Sequence, residues 1–161
     1  MNEKTMPRKN QPIIHLAADH AGLKLKNAVK DVLVRAGYHV HDNGAFTNEP
    51  GDDYPDFVIP AAAAVAASRG GAVGIVFGGS GNGECIAANK VRGVRAALVY
   101  DRYSAKMSRL HNDANVMSLG GRTMTAKVAI LLVKLWLGTS FSGDKRHVRR
   151  LRKITAFEKS V

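Results

Sequence analysis

The stretch AVGIVFGGSGNGECIAANK, residues 72–90, joins an apolar run to a glycine-rich turn and then to a segment that suits a helix. A continuous apolar run of this kind predicts a strand that is covered on both faces, which is typical of a parallel sheet. The glycines predict a tight loop where the strand ends. Strand, loop and helix in this order indicate an α/β architecture.

The same alternation of strand and helix continues on both sides of this stretch. Four further strands are predicted, in residues 13–19, 38–44, 94–100 and 114–121. Helices separate them: the first ends at Gly37, and Asp101 is a candidate cap for the helix before the last strand. A basic helix in residues 143–161 follows the last strand. We therefore predict a single three-layer αβα domain with a Rossmann-like, five-stranded parallel sheet and helices on both faces. It spans residues 13–161 and follows a disordered tail at residues 1–12.

Composition limits the function classes. A chain of 161 residues that is 45% hydrophobic fits one domain with a packed core. One cysteine excludes an intramolecular disulfide, and no segment resembles a signal peptide or a membrane span, so a cytoplasmic protein is expected. The net charge of +11 calls for an anionic partner, which could be nucleic acid, a membrane surface or a small polyanionic substrate.

Two familiar nucleotide-binding patterns do not fit the glycine loop. A Walker loop would follow Gly83 with Lys and then Ser or Thr, but Glu84 and Cys85 stand there. The dinucleotide fingerprint, counted from Gly79, would need glycine at the position of Glu84. The loop therefore favours another kind of chemistry.

A reaction that places negative charge on an oxygen suits this loop. Its glycines let several backbone N–H groups converge on one atom. The candidate set for this role is Gly79, Ser80, Gly81, Asn82 and Gly83. A carboxylate at Glu84 can remove a proton from the neighbouring carbon, as enolisation requires. The alternative for Glu84 is a helix-capping acid, and Cys85 fits a small buried side chain better than a nucleophile.

Five motifs in the chain resemble the B-type ribose-5-phosphate isomerases, which belong with the isomerases of allose and galactose 6-phosphates. The motifs are AADHAG, DDYPDF, GGSGNGECIAANKVRGVRAAL, SRLHNDANVMSLGGR and FSGDKRHVRRLRKI, and the resemblance runs from about Ile13 to about Glu158. It implies interconversion of ribose 5-phosphate and ribulose 5-phosphate through a cis-enediol, without a metal or another cofactor. Many members use a cysteine base at the position of Gly78. This sequence matches instead a subgroup, familiar from actinobacteria, whose base is the Glu after the loop, here Glu84.

The resemblance also implies roles for polar residues elsewhere in the chain. His111 would be the acid that opens the furanose ring, and Asn112 would bind sugar hydroxyls. Asp19 would bind hydroxyls as well, with His20 near the phosphate or the ring. Ser80 would pass a proton between the two sugar oxygens, or would only donate a hydrogen bond.

Arginines supply the phosphate site that the resemblance implies, at Arg122, Arg146 and Arg150. The last two are four residues apart and share a helical face. A separate apolar stripe on the same helix consists of Val148, Leu151, Ile154 and Phe157. By resemblance this helix docks on a second subunit, which gives a homodimer, or a dimer of dimers, with active sites shared between subunits.

Other functions stay open at this point. Isomerisation of allose 6-phosphate, galactose 6-phosphate or a tetrose phosphate would use the same base and phosphate positions. A non-catalytic binder of nucleotide or nucleic acid could also use the loop and the basic helix. Glu84 would repel a phosphate in that loop, and the basic helix lacks the interleaved aromatics of nucleic-acid sites, so we expect neither a nucleic-acid nor a membrane partner. No metal site is expected either, since no metal-ligand spacing occurs.

Overall fold

The computed structural model of the chain describes residues 11–160, which form five strands and six helices. The strands are β1 (Ile13–Ala18), β2 (Val40–Asp42), β3 (Ala72–Gly78), β4 (Ala96–Leu98) and β5 (Val116–Gly120). The helices are α1 (Leu23–Arg35), α2 (Pro55–Ala67), α3 (Asn82–Asn89), α4 (Arg102–Leu110), α5 (Ala126–Leu137) and α6 (Lys145–Ser160). The tail predicted at residues 1–12 lies outside the described residues, except for its last two.

The strands form one sheet in the order β2-β1-β3-β5-β4, and every pairing is parallel. This arrangement confirms the predicted αβα fold. Residues 72–90 lie at its centre, because β3 pairs with β1 on one side and with β5 on the other. The outer strands β2 and β4 are shorter than predicted, with three residues each.

Both faces of β3 are covered, as the continuous apolar run predicts. Ile75 and Phe77 point into a core shared with α1, α4 and α5, whereas Val76 points into a second core shared with α2 and α3. All seven residues of β3 are buried. The hydrophobic effect on both faces therefore fixes the strand that carries the glycine loop.

Local signals in the sequence set the ends of the helices. Asp101 caps α4 by accepting from the Ser104 backbone N–H at 2.7 Å, and the Ser104 hydroxyl oxygen accepts from the Asp101 backbone N–H at 3.1 Å, which completes a capping box. Gly37, just beyond α1, has a φ of 84°, a conformation that glycine adopts without strain. Both predicted boundaries are confirmed.

A buried ion pair joins α1 to β2. Lys26 is fully buried, and its Nζ donates to Asp42 and to the Ala45 carbonyl, each at 2.6 Å. Burial opposes ionisation of Asp42, but the hydrogen bonds from Lys26 and Lys30 outweigh it and lower the pKa of Asp42. This pair anchors the start of the loop that leads from β2 to α2.

Because all strands run parallel, their carboxyl ends lie along one side of the sheet and their amino ends along the opposite side. These two sides are called here the carboxyl edge and the amino edge. Helix α4 starts at the carboxyl edge, where Asp101 caps it, and ends at His111. Soon afterwards Asn115 donates its N–H to the carbonyl of Arg95, the residue before β4. His111 therefore lies toward the amino edge, about 13 Å along a nine-residue helix from the carboxyl edge.

The last helix begins at the same amino edge. The N–H of Ser142, three residues before α6, donates to the carbonyl of Leu110 at 3.0 Å. This contact places the start of α6 beside the end of α4. Among residues 11–160, no helix is both long and apolar enough to cross a bilayer.

Candidate active site

The glycine loop turns sharply between β3 and α3. Gly81 has a φ of 83° and caps α3, and a Cβ at this position would lie 2.8 Å from Leu98 Cδ1. The Ser118 hydroxyl donates to the Gly81 carbonyl at 2.6 Å and holds the turn against β5. A Cβ on Gly83 would lie 2.7 Å from the Tyr54 ring. These contacts explain why the loop needs glycine, and they direct the first N–H groups of α3 toward the carboxyl edge.

Glu84 lies in the first turn of α3 and is only 3% exposed. A Cβ built on Gly78 would overlap the Glu84 carboxyl group. The carboxylate therefore fills the space that a side chain at position 78 would occupy, at the end of the central strand. Glycine at this position, where many members of the family that the sequence resembles carry cysteine, thus has a steric reason.

The pKa of Glu84 is raised, chiefly because burial disfavours the charged carboxylate; its own backbone N–H opposes this effect, and the Asp19 charge adds to it. A carboxylate with a raised pKa is a stronger base than an exposed one. Burial beside another acid is more than helix capping requires. Burial and a raised pKa are features that a proton-transfer role requires, and the proton-transfer role of Glu84 stays a prediction.

Asp19 is held next to Glu84 at the end of β1. It is 7% exposed, and its Oδ1 accepts from the Gly22 N–H at 2.9 Å. A Cβ on Gly22 would lie 2.7 Å from the Gly78 backbone nitrogen, so glycine allows the start of α1 to approach β3 closely. The two acids thus reach one site from two neighbouring strands.

His20 follows Asp19 and contacts an acid that the sequence analysis did not single out. Its Nδ1 lies 2.6 Å from Asp52 Oδ1, and its backbone N–H donates to the same oxygen at 3.1 Å. Asp52 belongs to the DDYPDF motif, but no chemical pattern marks it. Tyr54, from the same motif, packs on Gly83 and was missed in the same way.

Ser80 and Arg122 complete the group at the carboxyl edge. Ser80 is exposed, and its hydroxyl accepts from the backbone and side-chain N–H groups of Asn82, each at 3.2 Å. Arg122 donates its backbone N–H to the Gly79 carbonyl at 3.0 Å, and its guanidinium flanks that glycine. A cation therefore borders the glycine loop at Gly79.

Other predicted site residues gather at the amino edge instead. His111 stacks on His147 of α6, with ring centroids 4.2 Å apart and an interplanar angle of 12°. The pKa of His147 is lowered, chiefly by burial. The electrostatic effects of the nearby His111, Arg146 and Arg150 lower it further. Arg146 and Arg150 therefore lie within electrostatic range of the histidine pair. Asn112, next to His111, is exposed.

A single chain does not bring all predicted residues into one site. Glu84, Asp19, His20, Ser80 and Arg122 lie at the carboxyl edge. The second group, at the amino edge, consists of His111, Asn112, Arg146 and Arg150. The central strands lie between them, and the five-residue β5 alone spans about 16 Å.

Cys85 points away from this chemistry. Its Sγ is half-buried and lies 3.5 Å from the Ala96 carbonyl, and the Asn89 side chain donates to it at 3.6 Å. Burial raises the pKa of the Cys85 thiol, so thiolate is scarce near neutral pH. These contacts fit the small buried side chain expected from the sequence.

One group within residues 11–160 has the spacing of metal ligands. Ligand atoms of Asp19, His20 and Asp52 lie within 4.8 Å of one another. The contact between His20 and Asp52 already occupies one atom of each side chain. The expectation of a metal-independent reaction stays a prediction.

Comparison with known proteins gives a consistent result. Residues 14–154 match the model of a family described as Ribose/Galactose Isomerase. Ribose-5-phosphate isomerase B of Mycobacterium leprae is 42% identical over 147 residues, 91% of this chain and 90% of the relative. The Escherichia coli protein of that name is also 42% identical, over 90% of this chain and 95% of the relative. The crystal structure of Mycoplasma genitalium ribose-5-phosphate isomerase B with bound ribulose-5-phosphate superposes with a TM-score of 0.91, at 38% identity, over 95% of this chain and 100% of that one.

Proposed function

The chain belongs to the ribose/galactose isomerase family, and from that premise we propose that it interconverts D-ribose 5-phosphate and D-ribulose 5-phosphate as a cytoplasmic homodimer. The observation that carries this proposal is the buried Glu84 carboxylate beside the glycine loop and Asp19. The relatives named for this activity, and the ribulose-5-phosphate bound to one of them, support the choice of substrate.

The reaction needs a base, a site for the developing oxyanion and an acid that opens the ring. His111 donates a proton to the furanose oxygen, the bond between that oxygen and C1 breaks, and the anomeric hydroxyl O1 releases its proton to solvent, which leaves the open-chain aldehyde. Glu84 then takes the proton from C2, and the electron pair of that bond forms the C1–C2 double bond of a cis-enediol. N–H groups of the loop stabilise the charge on O1 while it develops. Ser80 moves a proton between O1 and O2, and Glu84 returns its proton to C1.

The two separate groups of residues are the reason for proposing a dimer. Glu84 and His111 must act on one sugar, yet they lie at opposite edges of one sheet. In a two-fold dimer, the amino edge of one copy can cover the carboxyl edge of the other. The partner then supplies His111, Asn112, Arg146 and Arg150 to each site. Arg122 is contributed by the chain that carries the base.

The apolar stripe on α6 supports this arrangement. Val148 and Leu151 are partly buried, but Ile154 and Phe157 are 55% and 69% exposed in the single chain. Apolar side chains of this size that follow one another along a helix are typical of an interface. Docking of α6 on a second copy would bury them and would carry the two arginines to the partner's site.

The loop from β2 to α2 decides the length of the sugar. It passes over the carboxyl edge, where Asp52 contacts His20 and Tyr54 contacts Gly83. Isomerisation of allose 6-phosphate, galactose 6-phosphate or a tetrose phosphate remains the alternative, because a longer or shorter chain would use the same base and arginines.

The test is to supply ribose 5-phosphate, allose 6-phosphate, galactose 6-phosphate and erythrose 4-phosphate to the purified protein in EDTA and to measure ketose. We expect rapid conversion of ribose 5-phosphate alone. Glu84→Gln should abolish turnover and still bind the sugar phosphate, whereas Cys85→Ala, a matched change one residue away, should stay active. Turnover by Glu84→Gln would exclude Glu84 as the base. No ketose from any of the four sugars would refute the proposed activity.

A further inference from the structure

Asp52 makes a contact to His20 that is unusual for a loop acid. One carboxylate oxygen, Oδ1, accepts both from the His20 backbone N–H and from its ring Nδ1, at 3.1 and 2.6 Å. The Asp52 side chain is 10% exposed, whereas that of His20 is 26% exposed. The two residues are 32 positions apart, so the contact ties the loop after β2 to the end of β1.

Stability alone does not account for this acid. Asp52 Oδ2 is buried and has no hydrogen-bond partner among the described residues. A buried carboxylate oxygen without a donor destabilises the folded state. The contrast is Asp42, at the end of the strand before this loop, whose oxygens accept from Lys26, Lys30 and the Gly44 N–H. An acid selected only to hold this loop would be expected to have cations of that kind.

The contact does determine the chemistry of the His20 ring. A carboxylate only accepts hydrogen bonds, so Nδ1 must carry the proton that is shared with Asp52. Nε2 is then the ring nitrogen that remains for a ligand. With both the backbone and the ring bound to one oxygen, the ring also keeps a single orientation beside Asp19.

We propose that Asp52 is a positioning residue, which holds His20 in its Nδ1–H form so that Nε2 meets an oxygen of the sugar phosphate. This inference rests on the proposed isomerase function. Because His20 would bind the same oxygen in substrate and transition state, its orientation affects KM more than kcat. Asp52 acts only through His20.

The experiment compares Asp52→Ala, which removes the acceptor, with Asp52→Asn, which keeps an acceptor oxygen in place. Asp53→Ala is the matched control, since Asp53 is the exposed neighbouring acid. We expect Asp52→Ala to raise KM for ribose 5-phosphate about tenfold with kcat changed less than about threefold, as for loss of one oriented hydrogen bond. Asp52→Asn should recover most of the loss, and Asp53→Ala should resemble the wild type.

Two further measurements separate positioning from a merely structural role. In a His20→Ala background, Asp52→Ala should have no additional effect on KM, because the residue through which it acts is already absent. NMR spectra that correlate the ring carbon-bound protons of His20 with its ring nitrogens through two bonds distinguish the two tautomers. They should show the Nδ1–H tautomer in the wild type and in Asp52→Asn, and a larger population of the Nε2–H tautomer in Asp52→Ala. Thermal unfolding of each variant provides the check on folding.

The proposal is overturned if Asp52→Ala leaves KM unchanged, if its effect adds to that of His20→Ala, or if Asp52→Asn is as impaired as Asp52→Ala. An unchanged His20 tautomer in Asp52→Ala would also overturn it. The NMR result needs no turnover. If the protein isomerises none of the sugar phosphates, the proposed function fails, while the tautomer measurement still decides whether Asp52 orients His20.

Discussion

Mixing two inactive variants should restore activity if each site takes its base from one chain and its acid from the other. The variants are Glu84→Gln, altered at the carboxyl edge, and His111→Ala, altered at the amino edge. Proton transfer requires groups within about 3 Å of the sugar atoms. The α4 helix alone separates the two edges by about 13 Å, so one chain cannot supply both residues to one sugar.

The magnitude follows from the symmetry of the dimer. Random re-pairing of equal amounts of the two variants makes half of the dimers mixed. In a mixed dimer, the site built on the intact loop receives an intact His111 from its partner, whereas the other site carries both changes. One site in two is therefore active in half of the dimers, which gives about a quarter of wild-type kcat per chain.

The assay is ketose formation from ribose 5-phosphate after joint unfolding and refolding of the two variants. A matched control mixes Glu84→Gln with Asp19→Ala, because both changes lie at the same edge. Every site in that mixed dimer carries one damaged residue, so no recovery is expected. If Glu84→Gln and His111→Ala showed no recovery despite mixed dimers detected by mass spectrometry, assignment of the acid to the partner would be wrong.

Three other predictions follow from buried side chains. Gly78→Ala should lower kcat at least about a hundredfold, because the new methyl group displaces the Glu84 carboxylate. Gly51→Ala is the control and should have little effect in the same assay, because no atom lies within 4 Å of a Cβ at that position. Lys26→Met should reduce the free energy of unfolding in urea by about 3 kcal/mol, since Asp42 loses its fully buried cation and keeps only the partly exposed Lys30 and the Gly44 N–H as donors. Lys30→Met leaves the buried pair intact and should cost less than about 1 kcal/mol. Glu84→Gln should have a higher thermal unfolding midpoint than the wild type at neutral pH. Because the pKa of Glu84 is raised in the folded state, the wild-type native state loses stability as the pH rises through that pKa, whereas the neutral glutamine does not ionise. In acid, where Glu84 is protonated, the difference in midpoint should vanish. If the variant and the wild type differed by the same amount in midpoint at both pH values, or did not differ at either, the predicted effect of Glu84 ionisation on stability would be wrong.

The fold could be predicted because each of its signals is local. The apolar run of β3, the glycine after α1 and the capping aspartate of α4 act within a few residues, and all three appear as expected. The strands β2 and β4 are shorter than the ranges predicted for them, although their partner strands β1 and β5 continue beyond the paired residues. Where an outer strand leaves the sheet depends on the path of the loop that follows it, which composition alone does not reveal.

The two groups of site residues could not be separated from motifs alone. Asp19 and Glu84 follow strand ends, where parallel sheets collect ligands, so their shared location was predictable. His111 follows a helix, and a helix that leaves the carboxyl edge of such a sheet must end near the amino edge. The order of the elements therefore already separates His111 from Glu84, and this separation is the basis for proposing that His111 acts in a partner's site. Asp52 gave no signal, because its contact with His20 spans 32 positions and depends on the path of a loop.

In the proposed mechanism, the geometry of Glu84 explains how the base can occupy another position in the sequence and still reach the same point in space. Deprotonation requires a basic atom beside the sugar carbon and next to the oxyanion site, and it does not matter which backbone position carries that atom. At the end of β3 the required volume can be filled from the strand at position 78 or from the first turn of α3 at position 84, but not from both. With glycine at 78, the carboxylate enters that volume, and burial raises its pKa, as a base requires. In the proposed mechanism, glycine at position 78 is therefore as necessary as Glu84, because it leaves the space that the carboxylate fills.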